Sequence, residues 1–213
     1  MAQTARSTEE MLNSLSHGLG ALLSAVGLPL LLMQAAKSDN PWHMVACAIF
    51  GSTMFATFGA SALYHGTQHP ARKRLLRIAD HATIFTLTAG GYTPFCLMSI
   101  RGAMGISLLG IIWTCAAFGV VLKLFHTGRY ERLSLGMYLG MGWMSLVAVG
   151  PMLENMLAVS LALLVIAGLL FTTGVVFYRN DHRRGFHLIW HLFVLGGCAC
   201  LYGAVMMEIP VAV

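Results

Sequence analysis

The chain has 213 residues, 57% of them hydrophobic and only 10% Asp, Glu, Lys or Arg, with a formal net charge of +5. Soluble domains carry roughly 25% charged residues, so the composition excludes an ordinary water-soluble globule and specifies an integral membrane protein. Spans of about 20 residues with short connections leave room for seven helices and no separate soluble domain.

Residues 1–213 therefore read as one all-α, seven-transmembrane helix bundle, with residues 1–13 a short segment ahead of the first span. A secretory signal is not expected, because Glu9 and Glu10 precede an apolar run that is too long for one. The first predicted helix, Ser14–Ala36, carries His17, and Gly27 and Pro29 are positioned to bend it. Glu10, Asn13 and His17 share a helical face and form a second polar cluster or a cap. The second helix, His43–His65, places Ser61 four residues before His65, on the same face. The third, Ala79–Ile100, opens on Asp80-His81 and contains Tyr92-Thr93-Pro94, a second candidate bend.

The fourth and fifth predicted helices are Ala103–Phe125 and Leu133–Leu153; Gly136 and Gly140 make a GxxxG in the fifth, read as close packing within the bundle. Met156–Tyr178 is the sixth. The seventh, Phe186–Met207, opens Phe-His-Leu-Ile-Trp-His. Cys47, Cys96, Cys115, Cys198 and Cys200 lie in apolar runs without CxxC spacing and read as packing residues. His69, His126 and His182 fall in connections and His43 at an outer one, all four expected to be solvated.

Orientation follows from the basic residues. Seven spans put 11 of the 13 Lys and Arg on the side of the N-terminus, in the runs Arg72–Arg77, Lys123–Arg132 and Arg179–Arg184 and at Arg6. Only Lys37 and Arg101 fall opposite. Basic connections stay cytoplasmic, so the N-terminus is expected in the cytoplasm and the C-terminus in the periplasm of a bacterial inner membrane. The same rim accounts for the positive charge without nucleic acid, since it attracts anionic headgroups.

On this topology His65, Asp80, His81, His187, His191 and His17 share one depth, at the cytoplasmic boundary. Ionisable groups at that depth are costly to bury unless something uses them. His187 and His191, one helical turn apart, have the spacing of two ligands to one ion, or of two interfacial histidines beside an interfacial Trp190. With His65 they make three neutral imidazoles, which leave one tetrahedral position open on zinc, the arrangement of a catalytic site. Asp80 suits the role of proton acceptor for an attacking water, and Ser61 that of a donor to a developing oxyanion or of a hydroxyl bonded to its own backbone. His81 diverges by about 100° from Asp80 and is kept only as a neighbour of the site.

The segments Ser16-His17-Gly18-Leu19-Gly20, Ser61-Ala62-Leu63-Tyr64-His65, Asp80-His81, Gly91-Tyr92-Thr93-Pro94-Phe95 and His187-Leu188-Ile189-Trp190-His191 resemble the hemolysin III family. That family is related to the progestin and adipoQ receptors and, more distantly, to the alkaline ceramidases. The resemblance covers nearly the whole chain, and its motifs occur in family order. It implies seven helices with a cytoplasmic N-terminus and a zinc ion surrounded by the positions of Ser61, His65, Asp80, His187 and His191.

Function remains divided at this point between two classes. One is a zinc-dependent hydrolase cleaving an amide or ester in a membrane lipid, as the ceramidase relatives do. The other is a non-enzymatic membrane protein: a lipid or energy-homeostasis sensor, or the cytolytic pore of the family's name, with zinc as a structural clamp. A pore requires a continuous polar lining, and helices four to six supply few polar residues for one within a single chain; an oligomer is not subject to that limit. The topology carries its own prediction: a reporter fused after Val213 that is active only outside the cytoplasm gives signal, and a cytoplasm-requiring reporter at the same place stays silent.

Overall fold

The computed structural model describes residues 2–209, and side chains from residue 8 onward. The Arg6 side chain and the Val213 end, both used in the orientation argument, lie outside the described residues. Among the described residues the fold is wholly helical: α1 (Ala2–Ala35), α2 (Pro41–Gly66), α3 (Pro70–Phe95), α4 (Gly102–His126), α5 (Glu131–Trp143), α6 (Val149–Asn155), α7 (Ala158–Arg179) and α8 (Phe186–Glu208). A π-helical turn, Cys96–Ile100, follows α3, and a 3-10 turn, Met144–Ala148, joins α5 to α6.

Among the described residues, six stretches are long and apolar enough to cross a membrane: Thr8–Ala35, Pro41–Gly66, Gly102–His126, Glu131–Asn155, Ala158–Arg179 and Phe186–Glu208. These match six of the seven predicted spans to within a few residues, except that α1 begins well before Ser14. α3 is absent from the set: it starts at Pro70, not Ala79, and past the basic Arg72–Arg77 its turns carry Asp80, His81, Thr83, Thr86, Thr88 and Thr93, which lower their hydropathy. Large apolar side chains point outward, among them Leu15, Leu22, Leu23 and Val26 on α1 and Val147 and Leu153 farther on. That is the surface expected where the surroundings are hydrocarbon.

Sequential helices pack as neighbours, most extensively α1 with α2, α2 with α3 and α7 with α8, and α8 returns to α1. Small residues permit the close approaches, as required where burial of apolar surface brings little free energy. A Cβ on Gly119 would stand 2.3 Å from the Phe85 ring, and one on Gly174 would meet Trp190 at 2.8 Å. Gly136 and Gly140 behave differently, since nothing lies within 4 Å of a Cβ at either. The expected close packing at this GxxxG is not present, because that face of α5 points out of the bundle.

The fifth span is broken. Trp143 and Ala148 leave helical dihedrals (φ −93°, ψ 2° and φ −106°, ψ 18°) on either side of the 3-10 turn. Pro151 lies in the first turn of α6, where its missing N–H costs least. The loosened backbone groups are met by one side chain of α3: the Tyr92 hydroxyl lies 2.7 Å from Met141 O and 2.9 Å from Gly142 O, and accepts from Ser145 N at 2.9 Å. Trp143 Nε1 donates to Thr172 Oγ1 at 3.0 Å and ties α5 to α7.

Two expected surface residues are interior. Lys123, counted with the basic rim, is 1% exposed and pairs with Glu131 at 2.8 Å between α4 and α5. His43, expected to be solvated, is buried, with Nδ1 2.7 Å from Ser38 Oγ, because the α1–α2 turn folds over it. His69, His126 and His182 are exposed as expected. All five cysteines are free thiols, three buried and two half-buried.

Tyr92→Phe removes only the hydroxyl that satisfies the broken span. It is expected to cost about 1–2 kcal/mol in stability, read as a lowered Tm of the purified protein in detergent.

Candidate metal centre

His65 closes the last turn of α2, and His187 and His191 stand one turn apart at the start of α8. Their ring nitrogens come within 4.8 Å of one another. The ring centroids form a nearly equilateral triangle: 5.0 Å for His65–His187, 5.0 Å for His65–His191 and 4.8 Å for His187–His191, each pair inclined by 60–70°. The sequence-predicted ligand set is therefore brought together by the fold.

Two of the imidazoles, His65 and His191, are held from behind through Nδ1. His65 Nδ1 lies 3.2 Å from Glu10 Oε2. His191 Nδ1 lies 3.0 Å from Ser16 Oγ and 3.2 Å from Asn13 O. His187 Nδ1 faces Asp181 Oδ2 at 3.9 Å. An oxygen acceptor at Nδ1 selects the tautomer with its proton there and leaves Nε2 as a lone-pair donor. His65 Nε2 is buried without a hydrogen-bond partner, which is costly for a polar atom unless something coordinates it. Three imidazoles on two helices, with ring nitrogens within 4.8 Å of one another, fit a divalent ion that accepts nitrogen ligands.

Ser61 is buried one turn before His65 and sits beside the Asp80 carboxyl of α3. Both line the cavity that the three histidines line. His81 is turned toward α5, with Nδ1 3.9 Å from Glu131 Oε2, and its backbone carbonyl accepts from Tyr138 OH at 2.9 Å. His17 does not join the triad. Its ring stacks on His191 at 3.6 Å and 8°, and meets Phe58 edge-on.

The cavity measures about 470 Å³ and runs along α3 from Asp80 to Phe95 and along α8 from His187 to Leu201. At 1.5 Å per residue that is roughly 20 Å. The histidine end is polar; the far end is walled by Leu87, Phe95, Met152, Leu164, Val194 and Leu201.

Glu9 and Asp181 are site residues the sequence reading passed over. Glu9 Oε1 accepts from Gly185 N at 2.9 Å, at the left-handed residue (φ 78°) that starts α8. Acid scarcity was the available signal: the chain has 8 acidic residues, and Glu9, Glu10, Asp80 and Asp181 all line this cavity.

Fold and site together define a multi-pass helical membrane protein with a three-histidine cluster at one end of a polar-to-apolar cavity. The chain belongs to the haemolysin-III related family, whose profile matches residues 5–202. It is 39% identical to Hemolysin-3 of Bacillus cereus over 201 residues, 94% of this chain and 92% of that protein. It is likewise 39% identical over 198 residues to the Hemolysin-3 homolog of Bacillus subtilis (strain 168), covering 93% of each. The monocyte to macrophage differentiation factor of Homo sapiens is 28% identical over 205 residues, 92% of this chain and 83% of that protein.

Purified protein is expected to carry about one divalent metal per chain, by elemental analysis. His65→Ala, His187→Ala and His191→Ala each lose it, while His126→Ala, exposed at the end of α4, retains it.

Proposed function

We propose that this protein is a zinc-dependent hydrolase of the bacterial inner membrane that cleaves an amide or ester linkage in a membrane lipid. The observation that carries the reading is the cavity. It is about 20 Å long, with three histidines, a carboxylate and a hydroxyl at one end and Leu87, Phe95, Met152, Leu164, Val194 and Leu201 along the walls beyond them. An elongated cavity with these apolar walls is a slot suited to a hydrocarbon chain. A lipid seated there puts its polar linkage among His65, His187, His191, Asp80 and Ser61.

In the proposed topology α3 is a seventh span. From Ala82 to Ile100 it has no charged residue, and it packs between α2 and α4. The N-terminus is then cytoplasmic, the C-terminus periplasmic, and the basic ends of α3 and α7 meet anionic headgroups.

Zinc held by the three histidines supplies Lewis-acid polarisation of the carbonyl and a nucleophilic water near neutral pH. Asp80 takes the proton of the attacking water as the oxygen adds to the acyl carbon. Ser61, beside it, donates a hydrogen bond to the developing oxyanion. The carbon–nitrogen or carbon–oxygen bond then breaks, the proton passes from Asp80 to the leaving amine or alkoxide, and the acyl group departs as a carboxylic acid.

The name of the Bacillus cereus relative, Hemolysin-3, suggests cytolysis. The apolar far end of the cavity is an unsuitable lining for a water-filled pore within one chain, so the slot favours a lipid ligand.

The test is lipid turnover by purified protein in bilayers, followed by mass spectrometry over phospholipids, ceramides and acyl amides. Metal-dependent product is expected from the native chain. Asp80→Asn keeps the metal and loses about 10²–10⁴-fold in rate; Ser61→Ala loses up to about 10²–10³-fold. A metal-loaded native protein that releases no product from any of these lipids counts against hydrolysis and for a sensor or oligomeric pore. If the zinc is only a clamp, both substitutions change Tm or metal content and no rate.

A further inference from the structure

The opening turns of α1 touch every element that carries a metal-ligating histidine. Glu9 accepts from Gly185 N at the start of α8. Glu10 meets His65 on α2. Ser14 Oγ donates to Ala62 O, also on α2, at 2.9 Å. Asn13 O and Ser16 Oγ converge on His191 Nδ1. A contact such as Ser14 Oγ to Ala62 O serves helix packing alone, whereas those of Glu10, Asn13 and Ser16 end on the rings of His65 and His191.

Glu10 is the most exacting of them. One oxygen, Oε2, serves both His65 Nδ1 at 3.2 Å and Lys73 Nζ at 2.7 Å. The Lys73 ammonium lies over the Tyr64 ring, 5.0 Å from its centroid, and is itself fixed by that contact. The carboxylate is thus clamped between α2 and α3 and has little freedom to leave the imidazole. The ring it holds is the one whose Nε2 is buried and unpartnered. A plain Glu–Lys pair between helices would be satisfied without His65, and would leave that ring free to rotate about its side chain.

We propose that Glu10 is a positioning residue of the metal centre: it fixes the tautomer and rotation of His65 through Nδ1, while Ser16 and Asn13 do the same for His191, so that the start of α1 is the outer layer of the site. The inference rests on reading the three histidines as a metal centre, and extends it to a helix that supplies no ligand. A carboxylate behind a ligating imidazole raises its basicity and holds its orientation, and loss of such a partner typically weakens metal binding about 10–100-fold.

The experiment is a zinc titration of full-length purified protein in detergent, against a chelator of known affinity, with the visible absorption of the cobalt(II)-loaded protein as second readout. Glu10→Gln is expected to bind zinc about 10–100-fold more weakly than the native chain and, at saturating cobalt(II), to show a shifted ligand-field band. Glu10→Asp, which withdraws the carboxylate from His65 by one methylene, is expected to weaken zinc as well and stands in if Glu10→Gln does not fold. Ser14→Ala, which touches α2 but no histidine, keeps native affinity. Native affinity and an unshifted band in either Glu10 variant, with only the Tm of the metal-free protein lowered, overturn the proposal and leave an interhelical ion pair. A native chain that takes up neither metal overturns the metal-centre reading first, and this inference with it.

Discussion

The structure depends on holding three imidazoles together in a medium that penalises unpaired polar atoms. In hydrocarbon the free energy lost by a ring nitrogen without a partner is far larger than in water. Helices α1, α2, α3 and α8 meet where His65, His187 and His191 converge, and each helix brings an oxygen or a ligand to the cluster. Lys73 on α3 and Glu10 on α1 complete one such arrangement, with 2.7 Å between them. Asp181, in the turn before α8, stands 3.9 Å from His187 Nδ1. The polar chemistry is concentrated at one end of the bundle, and the remaining helical surface is free to be apolar.

That concentration leaves the other walls of the cavity a simpler task. Irregular backbone is tolerated at membrane depth only where protein satisfies it or where it lines a cavity. The break between α5 and α6 meets both conditions: Gly142, Trp143 and Ser145 line the slot, and Tyr92 takes up the loosened amide and carbonyls. α5 touches α7 at few places compared with the long α7–α8 and α1–α2 contacts. Stability is therefore unevenly distributed, with a tightly packed group around α1, α2 and α8 and a more lightly held fifth span. The polar anchors of that span, Glu131 on Lys123, Tyr138 on the His81 carbonyl and Trp143 on Thr172, all face the bundle. The slot is thus lined by a firmly built histidine end and a lightly held side wall.

Far from the histidines, Glu208 performs a comparable organising role with different partners. It accepts from Ser99 Oγ at 2.7 Å and from Leu157 N at 3.0 Å, joining α8 to the π-helical turn and to the start of α7. The π-helical turn follows Pro94, which cannot donate to the α3 ladder, and it ends at Arg101 in the left-handed region (φ 48°). The chain thus uses its few carboxylates where separate helices must be tied together, at both ends of the bundle.

The sequence by itself determined the helices and much of the histidine cluster. Membrane helices satisfy their backbones within one segment, so length, hydropathy and charge locate them locally; six of the predicted spans coincide with α1, α2, α4, α5–α6, α7 and α8. The pairs Ser61–His65 and His187–His191 were legible for the same reason, since four residues is one turn of the same helix face. Only the tertiary structure decided that these two pairs face each other, because that depends on the rotation of α2 and α8 about their own axes, set by packing. It also decided that His17 stacks on His191 and ligates nothing in the triad, and that Lys123 and His43 are buried, since each partner lies on another turn or helix. Glu10 was visible as part of a polar face of α1, but its role was not. A carboxylate acquires a function when a particular nitrogen is placed 3.2 Å away, and no local pattern in the chain encodes that distance.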